Sequence, residues 1–175
     1  IAQLKGVRLL KTNQPAAAAA VFVDIAAKRR ARFGSSAGLG VDLLQLGRAQ
    51  LALGKYDDAV QSLAESEPML AEKLSPTAPP TIAASATLAE ARAEAGDAAS
   101  ALRTLDRIQP VVKAMPGPTY AIALHARAIA LLKQGKRAEA KAVVDQAEAL
   151  LKALGPAGLV YLKALPALRA RIAKS

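Results

Sequence analysis

Apolar residues along this chain recur at helical spacing and nowhere alternate in the manner of a strand. Leu43, Leu44, Leu46 and Leu51 fall along one flank of a helix. The spacing returns in Ala59, Val60 and Leu63, in Ala101, Leu102, Leu105 and Ile108, and in Ala140, Val143, Val144 and Ala147. No window alternates Val, Ile, Thr and aromatic residues with polar ones, so the pattern predicts helices and no sheet.

The helical segments repeat. Gly54 ends one of them, and Asn13, Gly96 and Gly135 hold the same place elsewhere, at spacings of 41, 42 and 39 residues. Five residues beyond each turn stands alanine: Ala18, Ala59, Ala101 and Ala140. Seven residues before each stands a small residue: Gly6, Gly47, Ala89 and Ala128. Each unit therefore reads as two helices, the first closed by a residue that adopts the left-handed conformation. Pro15 suits the first turn of a second helix, and Asp57, Asp58 and Asp97 suit its positive end. Gly47 costs a helix roughly 1 kcal/mol relative to alanine. It is expected to face Ala59 across the hairpin, where smallness lets the two helices approach.

Pro68 and Pro110 sit late in the second helices of units two and three and are expected to kink them. "FGSSAGLG", "LSPTAPPT", "MPGPTY" and "LGPAGL" read as the separators between units. Beyond the last, Leu159 to Ala173 reads as a single helix that caps the stack. The units fall at about 1–36, 37–78, 79–117 and 118–155, with the cap at 156–175.

Composition sharpens this picture. Of 175 residues 43 are alanine, with two Phe, three Tyr and no Trp. Such a chain builds its core by bringing backbones close together, which favours helix against helix. Cysteine is absent, which removes disulfides and thiolate chemistry. No apolar run approaches the ~18 residues of a membrane span. The sequence begins at Ile1 without a signal-like start, and reads as a piece of a longer protein or a processed product. The net charge of +10 is unevenly spread: residues 1–36 carry +6, residues 37–110 carry −4 and residues 111–175 carry +8. That alternation differs from the uniform basic coat of a general nucleic-acid binder.

"LGRAQLALGKYDDAV" resembles the tetratricopeptide (TPR) repeat, with Leu46, Gly47, Gly54, Tyr56, Ala59 and Leu63 at its signature positions. Units three and four keep the Gly and Ala but lose Tyr, and the first unit is degenerate. The units exceed the family's 34 residues and are similar to its longer-unit relatives. The resemblance implies an all-α fold, a right-handed superhelix (α-solenoid) of four TPR-like hairpins plus a C-terminal capping helix. It also implies a concave groove lined by the first helices, where a protein or peptide partner binds. Carried over position by position, the groove holds Gln3 and Val7, Leu44 and Arg48, Ala86 and Glu90, and His125 and Ile129. Lys11, Glu94 and Lys133 lie one turn further on. The lining lacks the Lys/Asn pattern with which chaperone-binding members grip a C-terminal carboxylate.

Catalytic chemistry finds little support. His125 is the one histidine, which suits a groove-lining or packing residue better than a metal ligand or a triad. "GSSAGLG" lacks a Walker lysine and follows a helix, so a phosphate loop is not indicated. Asp57 and Asp58 point apart on a helix. No catalytic residue, metal site or cofactor is expected. The basic run Lys28, Arg29, Arg30 and Arg32 reads either as cations at a helix C-terminus or as a docking patch for phosphate, acidic protein or anionic lipid. Only Phe22 and Phe33 lie near it to stack on bases, which argues against nucleic-acid binding.

The sequence therefore reads as a non-catalytic, bacterial-type interaction module, the regulatory or sensor part of a larger signalling protein such as a Ser/Thr kinase or transcription regulator. The alternatives are a self-associating structural module, a homo-dimer driven by the opposite charges of ends and middle, and binding of nucleic acid or an anionic surface through the basic patches. The expected location is the cytoplasm, or the periplasm as a domain of a membrane-tethered protein.

Overall fold

The computed structural model describes residues 2–115 and 117–174, apart from the side chains of Ala157, Leu159 and Val160. Pro116, inside one expected separator, lies outside the described residues. Eight helices follow in pairs: α1 (Ala2–Lys11) and α2 (Pro15–Phe33), α3 (Ala37–Ala52) and α4 (Tyr56–Lys73), α5 (Pro79–Glu94) and α6 (Ala98–Ala114), α7 (Pro118–Lys133) and α8 (Arg137–Ala153). A 3-10 turn at Gly155–Ala157 leads into α9 (Leu159–Leu162) and α10 (Leu165–Lys174). Each first helix packs on its own second helix and on the first helix of the next unit, and α10 lies against α8 and α7. The result is an all-α superhelix of stacked hairpins.

The four hairpin turns share one hydrogen-bond scheme. Asn13, Gly54, Gly96 and Gly135 all have positive φ, between 57° and 100°. The amide after each of them donates to a carbonyl five residues back: Gln14 to Leu9, Lys55 to Gln50, Asp97 to Arg92 and Lys136 to Leu131, at 2.8–2.9 Å. This is the Schellman closure, which satisfies carbonyls that a helix end leaves open. The second helix then begins within two residues; Asp97 caps α6 by accepting from the Ser100 amide at 3.0 Å.

Gly47 does permit a close approach, but to a different residue. A Cβ there would lie 2.5 Å from Leu63 Cγ, one turn along α4 from the expected Ala59. Gly6 stands in the same relation to Phe22, at 2.6 Å. In the other units Ala89 and Leu105, and Ala128 and Val144, occupy the equivalent positions in one shared core. In units one and two a glycine on the first helix thus stands against a large residue on the second, and volume is conserved across the pair.

Several expectations change. Residues 37–40 of "FGSSAGLG" belong to α3 rather than a separator, with Ser36 as the N-cap. Gly40 leaves room in that helix for Leu70, which stands 2.8 Å from where its Cβ would lie. As expected, no additional helix starts at Pro68 or Pro110: α4 and α6 run on through them. The stretch expected as one helix over 159–173 is two, turning at Lys163 and Ala164. Pro166 has no N–H to offer the Leu162 carbonyl, so a helix arriving from residue 159 loses its continuity there.

The charge alternation is resolved within the chain. Arg29 and Arg30 of unit one pair with Asp42 and Glu65 of unit two, both at 2.6 Å. Arg107 of unit three pairs with Glu67 of unit two, and Arg127 of unit four with Asp106 of unit three. Arg169 of α10 pairs with Asp145 and Glu148 of α8. Each junction therefore carries an arginine–carboxylate contact, the geometry to which a planar guanidinium is best suited.

Candidate binding groove

The first helices of all four units converge on one cavity of about 830 Å³. Val7 and Lys11 come from α1, Arg48 from α3, Glu90 and Glu94 from α5, and His125 from α7. Val7, Arg48 and Glu90 hold one register, six residues before the turn of each unit, and the stack places them on the same side. The C-terminal segment supplies a further wall of Tyr161, Ala164 and Leu165. Nothing in the repeat pattern announces that wall, since the segment lies outside the repeat.

Other residues assigned to the groove lie elsewhere. Leu44 and Ile129 are 3% and 1% exposed and belong to the hairpin cores, as does Ala86. Their apolar side chains gain more from burial between helices than from facing an open groove. Gln3 is turned to the junction of units one and two, where its amide donates to Asp42 Oδ1 at 3.0 Å. Lys133 stands at the rim, 3.9 Å from Glu94.

Charges in the cavity are largely matched. Glu94 receives Arg171 of α10 through two bonds, Nη1 to Oε1 at 2.5 Å and Nη2 to Oε2 at 3.0 Å. Glu90 Oε1 lies 3.3 Å from His125 Nδ1. Burial alone would lower the pKa of His125, but hydrogen bonding to Glu90 and the fields of Glu90 and Glu94 carry it above the ordinary histidine value. Arg48 differs. Among the described residues no carboxylate comes within 4.0 Å of it, and its hydrogen-bond partner is Gln45 Oε1 at 3.5 Å. Desolvation pulls its pKa down, against the weaker fields of Tyr161 and Glu90.

The residue that sequence reasoning missed is Asp42. Its carboxylate is fully buried and accepts from Gln3 and from Arg29 Nε, the latter at 2.6 Å. The signal available was an acidic residue among the leucines of α3, where a solvated charge is out of place. Its partner Arg29 is thereby withdrawn from the expected basic patch. Lys28 pairs with Asp24 at 2.8 Å, Arg30 with Glu65, and Arg32 stands over the Phe33 ring at 5.1 Å. Arg29 is thus engaged in the junction, while Lys28, Arg30 and Arg32 remain exposed beside their partners.

Among the described residues no group of three or more His, Cys, Asp or Glu side chains is placed to hold a metal ion. No helix among them is long and apolar enough to cross a membrane.

Comparison with known proteins agrees with this geometry. A family model described as the tetratricopeptide repeat matches residues 43–65, 82–107 and 121–146. Each segment contains one of the turn glycines Gly54, Gly96 and Gly135; the degenerate first unit is not matched. No curated protein matches the sequence. Two crystal structures of a Podosopora anserina protein described as a kinesin light chain with nearly identical TPR-like repeats, one of them a point variant, are similar in fold. Their TM-scores are 0.66 and 0.64 at 21% and 20% identity, over 85% and 89% of this chain and 72% and 75% of theirs. Units two to four of this chain thus carry tetratricopeptide-type repeats, which mark protein-interaction scaffolds, in a fold of stacked hairpins.

Proposed function

We propose that this array is a non-catalytic adaptor that receives a protein or peptide partner on its concave face, as the regulatory part of a larger signalling protein such as a Ser/Thr kinase or transcription regulator. The observation that carries the reading is the convergence of α1, α3, α5 and α7 on one cavity with mixed apolar and charged lining. Stacked helix hairpins make such inner surfaces by their curvature, and partners use them. The ionisable groups there favour binding over catalysis: Glu90, Glu94 and His125 are engaged in ion pairs rather than poised as an acid–base set.

The test is charge reversal at the groove. Proteins of the native host are cross-linked to wild-type chain and to Arg48→Glu/Glu90→Arg, and the linked sites are mapped. A partner linked through the groove helices of the wild type and lost in the variant, with the helical CD signal unchanged, is the expected result. Equal capture by both chains moves the site off the groove.

A further inference from the structure

The C-terminal segment changes what the groove can hold. A channel open along four helices suits an extended polypeptide. Tyr161, Ala164 and Leu165 add a wall to it, leaving a half-open cavity of about 830 Å³, within the ~300–1,000 Å³ typical of small-molecule sites. Arg171, bonded twice to Glu94, fastens α10 across to the opposite helix.

The charge balance inside then selects the ligand. Glu90 is engaged by His125, and Glu94 by Arg171 and Lys133. Arg48 remains, with a neutral amide oxygen at 3.5 Å in place of a counter-ion. A bond of that length replaces little of the hydration a guanidinium loses on burial. Lys11 adds a second cation to the lining, without an ion pair among the described residues. The surface beside them is aliphatic, with Val7, Leu10, Leu51 and Ile122 all on the cavity.

We propose that this cavity binds a small amphipathic carboxylic acid, its carboxylate on Arg48 and its hydrocarbon portion against Val7, Leu10, Leu51 and Ile122. A guanidinium offers a carboxylate two parallel donors, and the pairing strengthens in a site shielded from water. The site goes beyond the protein-binding reading and does not depend on it.

Three probes of equal chain length separate charge from apolar burial. Octanoate, octanol and octylammonium are titrated into the isotope-labelled chain, with the Arg48 Nε–Hε signal and the cavity methyls followed by NMR. Octanoate is expected to bind saturably and at least tenfold more tightly than octanol, with octylammonium weakest. Arg48→Gln brings octanoate down to the affinity of octanol. Arg48→Lys retains a preference for octanoate, which separates a lost charge from a lost fold. Equal affinity for octanoate and octanol, or unaltered octanoate binding by Arg48→Gln, overturns the assignment. A fourth probe, the acetylated and amidated peptide Leu-Leu-Glu-Leu-Leu, addresses the rival source of a carboxylate. If it engages Arg48 more tightly than octanoate, the cavity takes an acidic side chain of a partner and the small-molecule assignment falls. If octanoate fails while groove charge reversal still abolishes partner capture, the protein-binding reading stands alone.

Discussion

Two charged residues of α3, Asp42 and Arg48, lie less than two turns apart and meet opposite fates. Asp42 faces the first unit, is wholly withdrawn from water, and has both carboxylate oxygens engaged by Gln3 and Arg29. Arg48 faces the groove, is largely desolvated, and has only a long contact to Gln45. A buried charge with a full set of partners belongs to the architecture; its removal orphans those partners. Arg48 is half-buried and has no such set, so the fold has little to lose with its charge.

The largest effect expected on breaking the comparison comes from the paired side. Asp42→Ala leaves the partly buried Arg29 without its counter-ion and should cost about 3 kcal/mol. A shift of the urea unfolding midpoint to lower concentration, read by far-UV CD, is the measurement. Replacing both partners, Arg29→Met with Asp42→Leu, should recover much of that loss, because no charge is then left buried alone. A double variant as unstable as Asp42→Ala would show that the pair acts through something other than charge compensation.

The next effect concerns the packing that brings α3 to α4. Gly47→Leu places a side chain where Leu63 already stands and should cost roughly 1–3 kcal/mol. Adding Leu63→Ala to it should return part of the loss, measured by the same midpoints as a coupling between the two substitutions. Strict additivity would mean that the two positions do not compete for one space.

Arg48→Gln tests the unpaired side and should lack the loss expected of Asp42→Ala. With no ion pair to lose, the midpoint should stay within about 0.5 kcal/mol of wild type or rise. A fall of more than about 1 kcal/mol, beyond the usual range for positions without structural partners, would erase the contrast between the two charges.

The smallest effect is the pH dependence of His125. Its pKa is raised on folding by Glu90 and Glu94, so the folded protein holds the proton more tightly than the unfolded chain. The resulting stability is fully present below the ordinary histidine pKa of about 6.5 and is lost as pH rises through the elevated folded value. Its size should be about 0.5 kcal/mol, as for other partly exposed pairs. Thermal midpoints of wild type and His125→Gln, compared from pH 5.5 to 8.5, should differ most at the acid end; a constant difference would remove the assignment.

Much of the fold was legible because it is written in local conformations. A residue at positive φ closes each first helix, and Gly or Asn is the residue that tolerates it, so the four turns and the hairpin count follow from spacing alone. The groove was legible in part: Val7, Arg48 and Glu90 stand six residues before their turns, Lys11 and Glu94 two and His125 ten, and the stack carries all of them to one cavity. Leu44 and Ile129 failed because a register shows which residues are equivalent without showing how far each helix is rotated about its own axis. The same rotation puts Leu63, rather than Ala59, against Gly47.

The amino-acid sequence by itself determined the helices, their turns and the repeat, since each is decided by backbone propensities acting over a few residues. Only the tertiary structure decided which charges are paired inside the molecule and which stay without a counter-ion. Arg171 finds Glu94 across 77 residues of chain, and Arg29 reaches Asp42 only when the first two units stack. Such pairings depend on the curvature of the assembled superhelix, which no stretch of local sequence encodes.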